Sequence, residues 1–163
     1  MLQVIKWVNM ITNFFTPVNA KSRNLDSYST GTIPFVSNSN LNNGVVKYVD
    51  SDVKNEIVEA PCIAVNGFGY ATVQLKPFVG AGNGGVHVIA LIPKKEMSVL
   101  ELAYYASQIN LQSWRFSYGR RAIKKRLNQI KLQEFDLSVA DSSAFKELFD
   151  KRIKESVSQL FSK

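Results

Sequence analysis

The sequence predicts an α+β fold: a small sheet of mostly antiparallel or mixed strands with flanking helices, followed by a C-terminal helix. Three observations lead there. From Ile33 to Pro93, short apolar runs alternate or continue between glycines and prolines, as half-buried and buried strands do. After Ser98, apolar residues recur at helical spacing, and Ser142–Phe161 carries a second helical stripe. With 163 residues, 45% of them hydrophobic, the chain can bury a core without disulfides or metals. The division expected is a compact domain over 1–135 and a helical segment over 136–163.

Residues 2–15 are apolar but of undetermined type, and Pro17 is expected to end them. Lys6, Asn9, Thr12 and Asn13 interrupt the run and no small-residue cleavage pattern follows, so it does not read as a signal peptide. No stretch approaches the roughly eighteen apolar residues of a membrane span. A cytoplasmic protein with no membrane partner is the expectation. Residues 19–33 are polar and turn-rich. Ile33–Val36 and Val45–Val49 then read as two strands, or a strand and a tight reversal, across Ser37–Gly44, a loop crowded with Asn and Ser. Its closing Asn43-Gly44 pair tolerates positive φ, and local side-chain hydrogen bonds are expected to hold it rigid.

From Cys62 the pattern is β: Cys62–Asn66, the Gly67-Phe68-Gly69 break, Ala71–Leu75, then Val86–Pro93 after a glycine loop. Cys62 is the single cysteine. It excludes an internal disulfide and a cysteine-cluster zinc site, and is expected to be a buried, inert thiol. Gly80–Gly85 satisfies G-x-G-x-x-G, but a strand follows where a dinucleotide site needs a helix, and there is no Walker lysine. A flexible hairpin loop is the simpler reading; its functional version is a loop that lets backbone approach a phosphate. His87 is the only histidine, which excludes histidine triads and multi-histidine metal sites, and it reads as an ordinary strand residue.

Asp52-Val53-Lys54, with Asp50, Glu56 or Glu59, has the acid-x-Lys spacing of metal-dependent nucleases. A solvated charged loop explains the same residues. No Asn/Asp-Pro-Pro-Tyr/Phe motif points to base methylation. Ser98 is expected to cap a helix to about Gln112, with Val99, Leu102, Ala103, Ala106, Ile109 and Asn110 at three- and four-residue spacing.

Trp114–Lys131 concentrates the charge. From Arg115 to Lys131 there are seven basic residues and no acid, while the net charge of the whole chain is also +7. The remainder balances, so the excess is local. Wound as a helix, Phe116, Ile123, Leu127 and Ile130 share one side, and Arg121, Lys124, Lys125 and Asn128 the other. A solvated surface helix is the plain reading. The absence of acids, the aromatics Trp114, Phe116 and Tyr118, and the Ser117-Tyr118-Gly119-Arg120 turn favour a polyanion partner, nucleic acid above all.

The ordered set Gly31–Ser37, Asn42–Val46 with Tyr48-Val49, Lys76–Phe78, Phe116–Arg120 and Ile130–Leu132 resembles the target recognition domains of type I restriction–modification specificity subunits and related type IIG enzymes. The likeness covers about residues 25–132. It implies a non-catalytic, cofactor-free and metal-free specificity subunit that reads half of a split double-stranded DNA target for a methyltransferase and a restriction subunit. It further implies DNA contacts from Arg115, Tyr118, Arg120, Arg121, Lys124 and Lys125, with Ser37, Asn38, Asn40, Asn43 and Asn83 from the loops. Ser142–Phe161 resembles the spacer helix, with Phe145, Phe149, Ile153, Val157 and Leu160 facing a partner. The family usually carries two recognition domains and a Leu-Pro where Leu132-Gln133 stands here. The chain is accordingly expected to be a half-subunit that pairs with itself, or an excised or orphan domain. A small Mg-dependent nuclease and a structural adaptor working through its last helix are the alternatives.

Overall fold

The computed structural model describes residues 9–83 and 87–136. β1 (Asn9–Met10), the single helical turn α1 (Ile11–Phe14) and β2 (Phe15–Asn19) lead into β3 (Thr30–Val36) and β4 (Val45–Val49), which pair antiparallel as expected. β5 (Ile57–Val58) is short, and β6 (Cys62–Val65) and β7 (Ala71–Gln74) form a hairpin. β8 (Phe78–Gly80), β9 (Ile89–Pro93), α2 (Val99–Asn110), α3 (Lys124–Leu127) and β10 (Lys131–Leu132) follow. Among the described residues the strands form two four-stranded sheets, β2-β9-β6-β7 and β4-β3-β8-β5, and a β1-β10 ribbon. The first sheet is antiparallel throughout; in the second, β3 and β8 run parallel. The fold is α+β.

Alternation along β6 and β9 explains the layering. Cys62, Ala64, Val88 and Ala90 join Phe35, Val49, Phe78 and Val79 in one core between the sheets. Their neighbours Ile63, Val65, Ile89 and Leu91 are also buried and, by the two-residue period, point to the opposite face. Small side chains on one sheet thus meet aromatic ones on the other. Each fully buried large apolar side chain contributes about 1.5–3 kcal/mol. Burial pushes the Cys62 thiol up to about 12, as an inert core cysteine requires.

Helix α2 packs against β6 and β7 of the first sheet. Ser98 Oγ accepts from Glu101 N at 3.2 Å while Glu101 Oε2 accepts from Ser98 N at 2.9 Å, a complete capping box. The buried face is Leu102, Tyr105, Ala106, Gln108 and Ile109, while Val99, Ala103 and Asn110 of the spaced set are exposed. Tyr105 sets this rotation, because its ring packs 4.8 Å from Phe14 and 5.5 Å from Phe15. Gln108 is buried because it works like a strand edge: its side chain donates to Gln133 O at 3.0 Å and accepts from Gln133 N at 2.7 Å.

Four further expectations change. Pro17 lies inside β2 and does not end it, since β2 is an edge strand whose only partner is β9 and an edge tolerates a missing N–H. The strands on either side of the glycine loop, β8 and β9, belong to different sheets and do not pair as a hairpin, while Gly84 and Gly85 lie outside the described residues. His87 precedes β9 and is exposed; it is not a strand residue. Asp50–Glu59 is not a uniformly solvated loop. The expected helix Ser142–Phe161, with Phe145, Phe149, Ile153, Val157 and Leu160, lies outside the described residues. One compact unit runs to Gln133.

Within Asp50–Glu59, Glu56 is buried and tied down. Arg23 donates to it through Nε at 3.0 Å and Nη2 at 3.3 Å, Ser51 Oγ donates at 2.9 Å, and the guanidinium stacks 4.5 Å from the Tyr28 ring. Burial alone would raise the Glu56 carboxyl, but hydrogen bonds from Ser51 and Arg23 outweigh it and hold it below its ordinary value. A carboxyl that titrates lower when folded stabilises the fold above its ordinary value of 4.5 and loses that contribution as pH falls through the folded value. Denaturant unfolding at descending pH should therefore show an acid-side loss of stability in the wild type that Glu56→Gln lacks. Parallel curves for the two proteins would exclude the linkage.

Candidate nucleic-acid interface

The predicted long basic helix does not exist. Ser113–Arg115 forms a short 3₁₀ turn, Ser117–Arg120 reverses, and only Lys124–Leu127 is α-helical. The reversal is closed by Ser117 N donating to Arg120 O at 3.1 Å and Arg120 N donating to Ser117 O at 3.0 Å, with Tyr118-Gly119 at its tip. Helical spacing in this stretch was real, but tertiary contacts override it. Ala122 N donates to Gly67 O at 2.9 Å, and Ile123 is extended at φ −124° and ψ 161°. Phe116, Leu127 and Ile130 are buried as expected, whereas Ile123 is 42% exposed.

The anchor for this segment is the β6–β7 turn, Asn66–Tyr70. Asn66 is 4% exposed; its Oδ1 accepts from Phe68 N at 2.9 Å and Tyr70 N at 3.1 Å, and its Nδ2 donates to Ser39 O at 3.4 Å. Gly67 N donates to Asn38 Oδ1 at 2.9 Å. Gly69 has φ +80°, and the Phe116 ring lies where its side chain would be. A Cβ on Gly67 would stand 3.3 Å from Asn38 Oδ1 and 3.7 Å from Arg121 Cδ, so both side chains flank that glycine. The Ser37–Gly44 loop, the Asn66–Tyr70 turn and the basic reversal therefore meet at one place.

Side-chain hydrogen bonds tie the loop down, as expected. Asn42, Asn43 and Gly44 adopt φ of 48°, 54° and 79° in succession, which explains the sequence Asn-Asn-Gly. Asn43 Nδ2 donates to Val73 O at 2.8 Å, and Gln74 Nε2 donates to Asn43 O at 3.0 Å. Asn38 and Asn43 thus shape the surface through bonds inside the protein, while Asn40 is exposed. Ser37 and Asn83 line a separate cleft of about 300 Å³ with Ser22, Arg23 and Asn24. Gly82 N donates to Ser22 Oγ at 2.9 Å beside it.

Trp114 and Tyr118 are 77% and 79% exposed, with the Arg115 guanidinium 5.6 Å from the first ring and the Arg121 guanidinium 5.3 Å from the second. Arg115, Arg120, Lys124 and Lys125 are exposed; Arg121 is partly covered. Arg126 has a structural task, donating to Arg121 O at 2.7 Å. Cations and flat aromatic faces together can bind phosphates and stack on bases or sugars.

Sequence reasoning missed Asn66 and Gly67 as the joint of the site. The signal was the Asn-Gly-x-Gly run after a buried strand, read only as a break. It also missed His87, which lines a cleft with Lys124 and Lys125. Comparison with known protein families, characterised proteins and solved structures finds no match.

The joint makes a paired test. Gly69→Ala puts a Cβ 2.2 Å from Phe116 Cδ2 at positive φ, and should cost about 2–3 kcal/mol of folding stability. Gly119→Ala meets nothing within 4 Å and should change stability by less than about 0.5 kcal/mol. Equal midpoints for the two variants in urea unfolding would show that Phe116 does not rest on Gly69 in solution.

Proposed function

We propose that this chain is a non-catalytic, sequence-specific double-stranded DNA-binding module: a single-recognition-domain specificity subunit of a restriction–modification system that directs a partner methyltransferase or endonuclease. One observation carries the reading. The acid-free basic segment, the Asn-rich loop and the β6–β7 turn converge through Asn38, Gly67 and Arg121. Phosphate attraction and side chains able to read bases are thereby presented from one surface. The restriction–modification setting and the self-pairing of two copies come from the family resemblance.

The nuclease reading is weaker. Asp52 and Lys54 are exposed, while the Glu56 carboxylate is held by Arg23 and Ser51. Among the described residues no three His, Cys, Asp or Glu side chains group to hold a metal ion. The adaptor reading rests on Ser142–Phe161, outside the described residues.

Selection from a random duplex pool, followed by sequencing, tests the proposal. Enrichment of one motif is expected, two-fold symmetric if two copies pair. Arg120→Ala should cost about 1–3 kcal/mol if its guanidinium reads a base, and should relax one position of the motif. Lys124→Ala should weaken all duplexes alike and lower the salt slope by about one unit. Binding with no enriched motif, even with the methyltransferase added, would reduce the protein to a general polyanion binder.

A further inference from the structure

A cleft of about 350 Å³ opens beside the basic reversal, between the residue that leads into β9 and the Ala122–Lys125 segment. Asn19, His87, Lys124 and Lys125 give it its polar lining, over Ile89 and Ala122. Among the described lining residues, every side chain that forms hydrogen bonds can donate one, and none is a carboxylate. That composition suits a tetrahedral oxyanion. We propose that the cleft binds a phosphodiester group of the DNA backbone, and that His87 makes this contact responsive to pH.

The placement follows from backbone geometry. Val88 is fully buried in the core between the sheets, with its N–H donating to Ala81 O at 2.8 Å and its carbonyl accepting from Ala20 N at 2.9 Å. His87 and Ile89, on either side of this buried residue, both line the cleft. Asn19 is fixed opposite Ile89 in the β2–β9 ladder. The far wall is held by the Ala122 N to Gly67 O bond, the same bond that joins the basic segment to the reading surface. The cleft thus continues that surface, and the inference rests on the DNA-binding reading above.

The charge of the cleft depends on pH for a reason visible in composition. His87 is the only histidine, and an imidazole ordinarily gains its proton near pH 6.5. Among the described lining residues the charged groups facing it are Lys124 and Lys125; Asn19 from β2 is neutral. A protonated imidazole brings a third positive charge to the cleft, which a bound phosphate favours. Phosphate binding and proton uptake at His87 are therefore coupled with positive sign.

The test measures duplex affinity at constant ionic strength between about pH 8 and about pH 6, either side of the ordinary imidazole value. Wild-type affinity should rise several-fold as pH falls, and its salt slope should steepen by about one unit. His87→Gln should flatten the pH response. Arg120→Ala should weaken binding at every pH yet keep it. A second arm needs no DNA: the imidazole resonance of the sole histidine, followed by NMR during titration with inorganic sulfate, a tetrahedral dianion that does not titrate here. Sulfate should move that resonance, and less so in a Lys124→Ala/Lys125→Ala protein. Normal duplex binding with the same pH response in His87→Gln would overturn the proposal and leave the DNA reading standing. A sulfate response without any effect of His87→Gln on duplex binding would assign the cleft to free anions and overturn it too. Failure to bind duplex at any pH would remove the DNA reading, and the proposal with it.

Discussion

The buried amide of Asn66 is the contact on which the rest of the candidate site depends. Its oxygen takes two backbone N–H groups of its own turn and its nitrogen reaches the carbonyl of Ser39. An unpaired buried N–H costs about 1–3 kcal/mol, so this one side chain stabilises a turn that would otherwise leave its amides unmatched. With the turn fixed, Gly67 offers its N–H to Asn38 on one side and its carbonyl to Ala122 on the other. The Asn-rich loop and the basic segment are held by opposite ends of one glycine.

This arrangement also explains how so basic a segment is kept in place. Seven cations without a single acid between Arg115 and Lys131 repel one another. Uncharged contacts help to hold the segment: Phe116 on Gly69, Leu127 and Ile130 in the core, and backbone bonds at Ala122 and across the Ser117–Arg120 reversal. Arg126 is used as a hydrogen-bond donor to a carbonyl. The buried acid just before β5, Glu56, is matched by Arg23.

Much of the fold was legible. The β3–β4 pair, the buried strand at Cys62, the β7 and β9 strands and the Ser98 cap all follow from local rules: alternation, Asn-Gly turns, and Ser-x-x-Glu before an apolar run. What misled was periodicity without knowledge of a partner. Val99 and Ala103 have helical spacing, yet Tyr105 decides the buried face because its ring meets Phe14 and Phe15, some ninety positions earlier in the chain. Pro17 reads as a stop until β2 is known to be an edge strand.

The sequence by itself determined the α+β class, the inert Cys62, the Asn42–Gly44 turn and the confinement of all excess charge to one acid-free stretch. These depend on neighbours along the chain or on composition. Only the tertiary structure decided that the charged stretch is a reversal and not a helix, that Asn66 and Gly67 join it to the loop at Asn38, and that His87 stands with Lys124 and Lys125 at one cleft. Those depend on hydrogen bonds and packing between segments tens of residues apart, whose side chains and backbone groups carry no local signal of which partner will satisfy them.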